Sequence, residues 1–253
     1  MYKECSGGAA GQYKRPHGAA VDMRPLTFWL FCISILNAYP RISHSKDASR
    51  GLIPQEVRFR SLDYSNVLHW KPQSYTNKGQ KFFVQYKVYG DKQWTDVTQC
   101  QGISQTSCDL TQQTSDPREW YYARVQAALH GTQSGWALSP RFNPYWETSV
   151  SPPAMRLRAT EQGVVIRLRP PRSPYRRRRG SFISMRKLQK LTFRIFITHD
   201  GVLQETLEVE GCVTELVVKD QNPRTTYCFQ VEAHLLQQGR SGTRSNPTCI
   251  TTR

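Results

Sequence analysis

The sequence has no apolar run long enough to cross a bilayer, few acidic residues and no usable Asn-x-Ser/Thr acceptor. Its longest apolar stretch, LTFWLFCISIL at residues 26–36, has 11 residues, where a transmembrane helix needs about 20. No membrane span is therefore expected. Asp and Glu number 19 against 35 Lys and Arg, for a formal net charge of +16, which favours anionic surfaces as partners. Asn143, Asn222 and Asn246 are each followed by proline, which blocks N-linked glycosylation. The six histidines (17, 44, 69, 130, 199 and 234) show no metal-ligand spacing, and there is no CxxC. A phosphate loop, a nucleophile elbow and a dinucleotide fingerprint are also missing. No enzyme, metal or cofactor is expected.

Met23-Arg24 gives a positive n-region, residues 26–36 an apolar h-region, and small or polar residues follow from Asn37. That order reads as a secretory signal peptide over residues 23–45, cleaved between about Ala38 and Ser45. A buried core segment is the other reading for an apolar run of this length. Residues 1–22 precede the signal as an upstream extension without expected structure. The expected product is soluble and extracellular. Residues 1–45 hold five Lys/Arg and two Asp/Glu, so the mature part carries +13. For an exported protein that balance suits sulfated glycans or an acidic partner rather than nucleic acid, or is simply a solvated basic surface.

Of seven cysteines, Cys5 and Cys32 lie before or inside the signal, leaving Cys100, Cys108, Cys212, Cys228 and Cys249. Export favours pairing. The simplest scheme is local, Cys100 with Cys108 and Cys228 with Cys249, with Cys212 left over.

The body of the chain reads as all-β, because short alternating runs recur between turn residues and no long 3.6-residue period intervenes. VRFRS, NVLHW, KFFVQYKVY, SCDLT and YYARVQAAL are strand candidates in the first half. MRLRA, GVVIRLR, LTFRIFI, LQETLEVE, TELVV and TYCFQVEAHL follow in the second. YYARVQA places Tyr121, Ala123, Val125 and Ala127 on one face, and TYCFQVEA repeats this with Tyr227, Phe229, Val231 and Ala233, 106 residues later. Each tyrosine stands where a tyrosine-corner hydroxyl serves a β-sandwich. NPYWETSVSPP reads as a proline-punctuated linker, so domains are expected at residues 52–148 and 149–253, with the boundary near Val150.

In FVQYKVYGDKQW, alternation sends Phe82, Val84, Tyr86 and Val88 inward and Phe83, Gln85, Lys87 and Tyr89 outward. Gly90, followed by Asp91 and Lys92, lets the chain reverse under the Tyr89 ring. Two readings stand: an exposed interface anchor, or a ring lying flat on its own sheet.

Two repeats of about 100 residues, with Trp70 on an early strand and Tyr-x-Ala/Phe-x-Val-x-Ala on a late one, resemble tandem fibronectin type III domains. The ordered series NVLHW, VQYKVYGDKQW, C-x7-CDLT, TSD…YYARVQA and RFNPYWET…PP is similar to the ectodomain of class II cytokine receptors, over residues 52–253. The resemblance implies the pairs Cys100–Cys108 and Cys228–Cys249, and gives Cys212 no partner. The second domain departs from it by using Val164, Ile166 and Leu168 where a tryptophan is common. It further implies that the Tyr89-Gly90 loop meets a helical cytokine, with Lys87, Asp91, Lys92, Glu119, Tyr122 and Arg141 beside it. From HLLQQGRSG in the second domain it adds Leu236, Gln237 and Arg240. For all of these outside the Tyr89 region a solvated loop is the other reading, and Arg141 could instead stack structurally on an aromatic. The implied function is a secreted decoy that sequesters a cytokine of the interleukin-10 group, interleukin-22 first. The alternatives are the extracellular part of a membrane receptor, or a matrix or adhesion module.

YRRRRG puts Arg176, Arg177, Arg178 and Arg179 side by side, in an expected loop before LTFRIFI. It reads as a solvated charge run, a sulfated-glycan site, or a processing-protease site.

Overall fold

The computed structural model describes residues 49–74, 79–219 and 221–253; the upstream extension and the signal-peptide reading lie outside them. The first sandwich comprises β1 (Gln55–Leu62), β2 (Ser65–Lys71), β3 (Lys81–Val88), β4 (Thr95–Ile103), β5 (Ser107–Asp109), β6 (Tyr121–Leu129), β7 (Thr132–Gln133) and β8 (Ala137–Leu138). A four-residue helix α1 (Pro144–Glu147) follows. The second comprises β9 (Ala154–Thr160), β10 (Gly163–Arg169), β11 (Arg172–Arg176), β12 (Phe182–Ser184), β13 (Leu191–His199), β14 (Val202–Glu210), β15 (Glu215–Val218), β16 (Thr226–Leu235), β17 (Arg240–Ser241) and β18 (Thr248–Thr251).

In the first domain a β1-β2-β5 sheet packs on β4-β3-β6-β7, with β8 also on β6; in the second, β15-β10-β9 packs on β14-β13-β16-β17, with β18 also on β16. Period-two alternation supplies each core. Phe82 and Val84 of β3 meet Ala123, Val125 and Ala127 of β6 over Leu68 and Trp70. Phe193, Ile195 and Ile197 of β13 meet Phe229, Val231 and Ala233 of β16 over Val164, Ile166 and Leu168. The repeat is exact in register: Val84 pairs with Val125, and Ile195 with Val231. Both tyrosine corners form. The Tyr121 hydroxyl donates to the Asp116 carbonyl at 3.1 Å, and the Tyr227 hydroxyl accepts from the Asn222 N–H at 3.2 Å.

The Cys100–Cys108 bridge ties β4 to β5, and so joins the two sheets of the first sandwich. Cys228–Cys249 joins directly paired residues of β16 and β18. Cys212 is free and exposed, with its thiol 3.4 Å from the Glu210 carboxylate.

Four expectations need correction. The proline-rich segment is no plain linker: it holds α1, and Val150 is fully buried in the second core. Arg176 is not in a loop but ends β11, and the remaining arginines form the β11–β12 hairpin tip. His234 and Leu235 end β16, and Arg240 begins β17, so the HLLQQGRSG loop shrinks to residues 236–239. Finally β4, TDVTQCQGI, was not expected as a strand. Its buried residues Val97 and Cys100 are three apart because its ladder to β3 is irregular, which erases the period-two signal.

The sandwiches share side chains at their elbow. Asp63 (φ 51°) and Tyr64 (φ 68°) form the two-residue turn between β1 and β2, whose left-handed backbone suits a tight hairpin. That turn drives Tyr64 into the second domain's core. Its hydroxyl accepts from Gln189 at 2.7 Å, and Gln189 also donates to the Tyr145 carbonyl at 2.9 Å. Burial holds the Tyr64 phenol well above its ordinary range. Asp63 accepts from the Ser151 N–H at 3.0 Å and from its hydroxyl.

Candidate functional site

Strand β3 ends at Val88, and the Tyr89 N–H donates to the Trp120 carbonyl at 2.6 Å, fixing the strand end against the residue before β6. The chain then turns at Gly90, φ +97°, in a region that favours glycine. The Asp91 N–H closes the turn on the Val88 carbonyl at 3.1 Å, and the Lys87 ammonium donates to the Asp91 carbonyl at 3.0 Å. The Tyr89 ring is thereby held out at 58% exposure. It does not lie flat on its sheet.

Two of the other candidates gather at that ring. Tyr122 lies with its centroid 6.2 Å away, and it pairs directly with Lys87 across the β3–β6 ladder, so all three face outward. The Arg141 guanidinium sits 4.2 Å from the Trp120 centroid and 5.6 Å from that of Tyr89. Arg141 is thus an aromatic stacker, and what it stacks includes Tyr89. Glu119 and Lys92 are exposed; the Glu119 carbonyl accepts from Asn143 at 2.7 Å.

Behind this cluster runs a ladder of rings and cations that the sequence reading missed. Arg124 lies between Trp94 and Trp136, 4.3 and 4.4 Å from their centroids, and Lys87 is 5.2 Å from Trp94. Gln85 accepts both Arg124 Nε at 2.8 Å and Nη2 at 2.5 Å. Cation–ring contacts of this kind stiffen the outward face of the sheet. The available signal was the outward alternation of Tyr122, Arg124 and Gln126 opposite Gln85 and Lys87.

The second-domain candidates gather around α1 instead. Asn143 caps that helix, accepting from the Trp146 N–H at 3.0 Å, while Glu147 reaches back to the Asn143 N–H at 2.8 Å. This reciprocal pairing is a capping box displaced by one residue. The Gln237 side chain accepts from the Tyr145 hydroxyl. Arg240 donates to the Trp146 carbonyl at 2.6 Å and the Thr148 carbonyl at 3.3 Å, satisfying backbone groups that a helix end leaves open. Leu236 is 39% exposed and Trp146 49% exposed. Trp146 was not among the expected residues, because a four-residue helix shows no periodicity. The short stretch from Arg141 to Thr148 therefore touches both groups: Arg141 lies over the Tyr89 ring, and α1 bonds Gln237 and Arg240.

This arrangement can present rings and charges to a large partner. Among the described residues no group of three His, Cys, Asp or Glu could hold a metal. No helix among them is long and apolar enough to cross a membrane.

The family model for tissue factor matches residues 26–136, and that for the fibronectin type III part of interferon-alpha/beta receptor matches residues 148–253. The chain is similar to rat interleukin-22 receptor subunit alpha-2, 36% identical over 209 residues that cover 82% of this chain and 91% of the relative. The human subunit alpha-2 is 29% identical, with 83% and 92% covered. Mouse interleukin-20 receptor subunit alpha is 33% identical over 79% of this chain but 37% of the relative. The chicken interferon gamma receptor alpha chain shares the fold, with a TM-score of 0.60 at 20% identity, covering 79% of this chain and 97% of that one. Tandem fibronectin type III sandwiches, with receptor-type matches over residues 26–136 and 148–253, make this a receptor and not an enzyme. The chain belongs to the class II cytokine receptor family.

Proposed function

We propose that this protein is a secreted decoy that binds a helical cytokine of the interleukin-10 group, interleukin-22 first, and withholds it from its signalling receptor. The observation that carries the proposal is the Tyr89 ring, exposed at the tip of β3 yet braced by Arg141 and by the turn at Gly90. A rigid, amphipathic ring of this kind buries much area for little lost entropy, which is how interface anchors act. Around it the contact surface comprises Lys87, Gly90, Asp91, Lys92, Glu119, Tyr122 and Arg141, with Leu236, Gln237 and Arg240 from the second domain. A decoy acts by occupancy, so two braced sandwiches suffice. The match to rat interleukin-22 receptor subunit alpha-2, 36% identical over 91% of that relative, supports interleukin-22 as the first cytokine to test. Membership of the receptor family leaves the matrix or adhesion reading without support.

The test is binding of the purified protein to immobilised interleukin-22 and to other cytokines of the group, followed by competition in a cell reporter of interleukin-22 signalling. Tight binding that suppresses the reporter is the expected result. No binding to any member would overturn the proposal, and binding without suppression would remove the decoy role.

A further inference from the structure

The charge of this chain is concentrated in one stretch of the second domain. Residues 151–190 hold 12 Lys/Arg and one Asp/Glu, whereas residues 191–253 hold six and seven. The ten arginines among them fall on β9, β10, β11 and the turns beside these strands. On β9 and β10, Arg156 and Arg167 are direct cross-strand partners, and Arg158 is opposite Val165; all three arginines are exposed. Like charges directly opposite each other are destabilising unless an anion lies between them. Arg167 has one local partner, Glu215 of β15, and Arg156 has none among the described residues.

The chain leaves β10 at Arg169 and starts β11 at Arg172. These two, with Arg186, line one groove that has no acidic residue in its wall. None of the three makes an ion pair among the described residues. Asp63, which lines the adjoining groove with Arg172, already accepts from both donors of Ser151. From Arg172 the strand carries the charge outward by roughly 13 Å over four residues to Arg176. Its guanidinium stacks 4.0 Å from the Phe182 ring centroid and donates to the Gly180 carbonyl at 2.9 Å. Arg177, Arg178 and Arg179 then form the hairpin tip, exposed and closed by the Gly180 N–H on the Arg177 carbonyl at 2.8 Å.

We infer that this band, from the β9–β10 face through the Arg169–Arg172–Arg186 groove to the β11–β12 tip, is a binding site for a sulfated glycosaminoglycan chain. The partner chemistry follows from the shape. The cations form an elongated, open track with no enclosed pocket, which suits a linear polyanion over a small anion. They are mostly arginine, whose planar fork meets sulfate with paired hydrogen bonds. The band offers a single exposed ring, Phe182, with Arg176 over one face, where single-stranded nucleic acid is held by a series of stacking rings, so nucleic acid is the poorer fit. The Tyr89 surface lies in the other domain, and Arg186 alone of the band's arginines lines a groove with Leu236 of the α1 surface, so this inference stands whether or not the cytokine proposal holds.

The test uses the full mature chain on immobilised heparin, with affinity measured against salt. Binding to a polyanion by counterion release gives a log–log slope set by the number of cations engaged. Two variants probe the band: the tip triple Arg177→Ser/Arg178→Ser/Arg179→Ser, which leaves the Arg176–Phe182 stack alone, and the groove triple Arg169→Ser/Arg172→Ser/Arg186→Ser. Each should lower the slope by about 2 to 3 and the affinity at physiological salt by about tenfold or more. A first-domain control, Arg60→Ser/Lys71→Ser/Lys81→Ser/Arg118→Ser, removes four charges and should move neither by as much. Thermal melting confirms that each variant is folded. Desulfated heparin should not compete. Equal losses in control and band variants would reduce the effect to net charge and overturn the site. Retention of both triples at the parent's salt would do the same, and equal competition by single-stranded DNA would overturn the sulfate assignment.

Discussion

The Arg141 guanidinium lies over the Tyr89 ring at 5.6 Å while resting on Trp120 at 4.2 Å. Arg141 comes from the segment that precedes α1, so the exposed ring of the first domain is braced by the same segment that leads into the second. Replacing it should act on binding through Tyr89 as well as through its own charge. Arg141→Ala is expected to weaken cytokine binding about tenfold. Arg141→Lys should recover little, since an ammonium lacks the plane that stacks between two rings. Surface plasmon resonance checks both, and a Lys variant that binds like the parent would reduce Arg141 to a point charge.

The tyrosine corners give a stability prediction with a pH signature. Tyr121→Phe removes the hydrogen bond to the Asp116 carbonyl and should cost about 1 kcal/mol, with Tyr227→Phe similar. Burial pushes the Tyr121 phenol from its ordinary value of 10.0 to about 12. The fold thus favours the protonated form. Its contribution is fully present below pH 10 and is lost as pH rises toward 12. Denaturant melts of parent and Tyr121→Phe across that window should converge, and parallel curves would contradict the assignment.

The elbow predicts a coupling between domains. Gln189, 4% exposed, donates to the Tyr64 hydroxyl and the Tyr145 carbonyl and accepts from Gln238 at 2.9 Å. Gln189→Leu leaves the buried Tyr64 hydroxyl without its donor, while Gln238 still donates to the Tyr145 carbonyl at 3.0 Å, and should cost about 1 to 3 kcal/mol. Small-angle scattering should then show a wider spread of interdomain angles. An unchanged profile with unchanged stability would mean that the apolar contacts of Tyr64 alone fix the elbow.

Cysteine chemistry supplies a third kind of check. Non-reducing peptide mapping should return Cys100–Cys108 and Cys228–Cys249, with Cys212 alkylated by a thiol reagent without denaturant. Cys212→Ser should leave melting unchanged, whereas removing either bridge should cost about 2 to 5 kcal/mol. A dominant Cys212–Cys228 species would put the register of β16 in error.

What could be read from the sequence was whatever repeats along one element. YYARVQA and TYCFQVEA announced β6 and β16 because their inward residues alternate without interruption, and the tyrosine that opens each marked the corner. The local spacing of the cysteines carried their pairing. Illegible were the features whose cause is distant or whose element is too short. Tyr64 looks like a turn residue, and only the approach of the second sandwich makes it a core residue 125 positions away from its partner Gln189. Helix α1 is barely one turn long, too short for a period to repeat, so its prolines spoke for a linker. The support that Arg141 gives Tyr89 joins residues on opposite sides of β6, which no local pattern encodes. Outward alternation placed Tyr89 on the correct face; its bracing was visible only in the fold.

The most direct test of the site is Tyr89 itself. Tyr89→Ala should weaken cytokine binding by about 2 kcal/mol or more, as truncating a central interface aromatic does, mainly through faster dissociation. Stability should move by less than about 0.5 kcal/mol, because an exposed side chain away from core and caps contributes little. Gly90→Val probes the same anchor without removing a contact atom. A side chain built at Gly90 meets nothing within 4 Å, yet its φ of +97° is strained for any β-branched residue. The turn must relax, and the ring above it tilts away from Arg141 and Tyr122. Both variants should therefore lose binding; Tyr89→Ala melts like the parent, whereas Gly90→Val melts lower by the strain of its turn, about 1 to 3 kcal/mol. If Gly90→Val binds normally and Tyr89→Ala does not, the ring anchors the cytokine without needing the turn to aim it. If Tyr89→Ala binds as tightly as the parent, the contact surface lies elsewhere, and the exposed Trp146 on α1 becomes the first residue to replace.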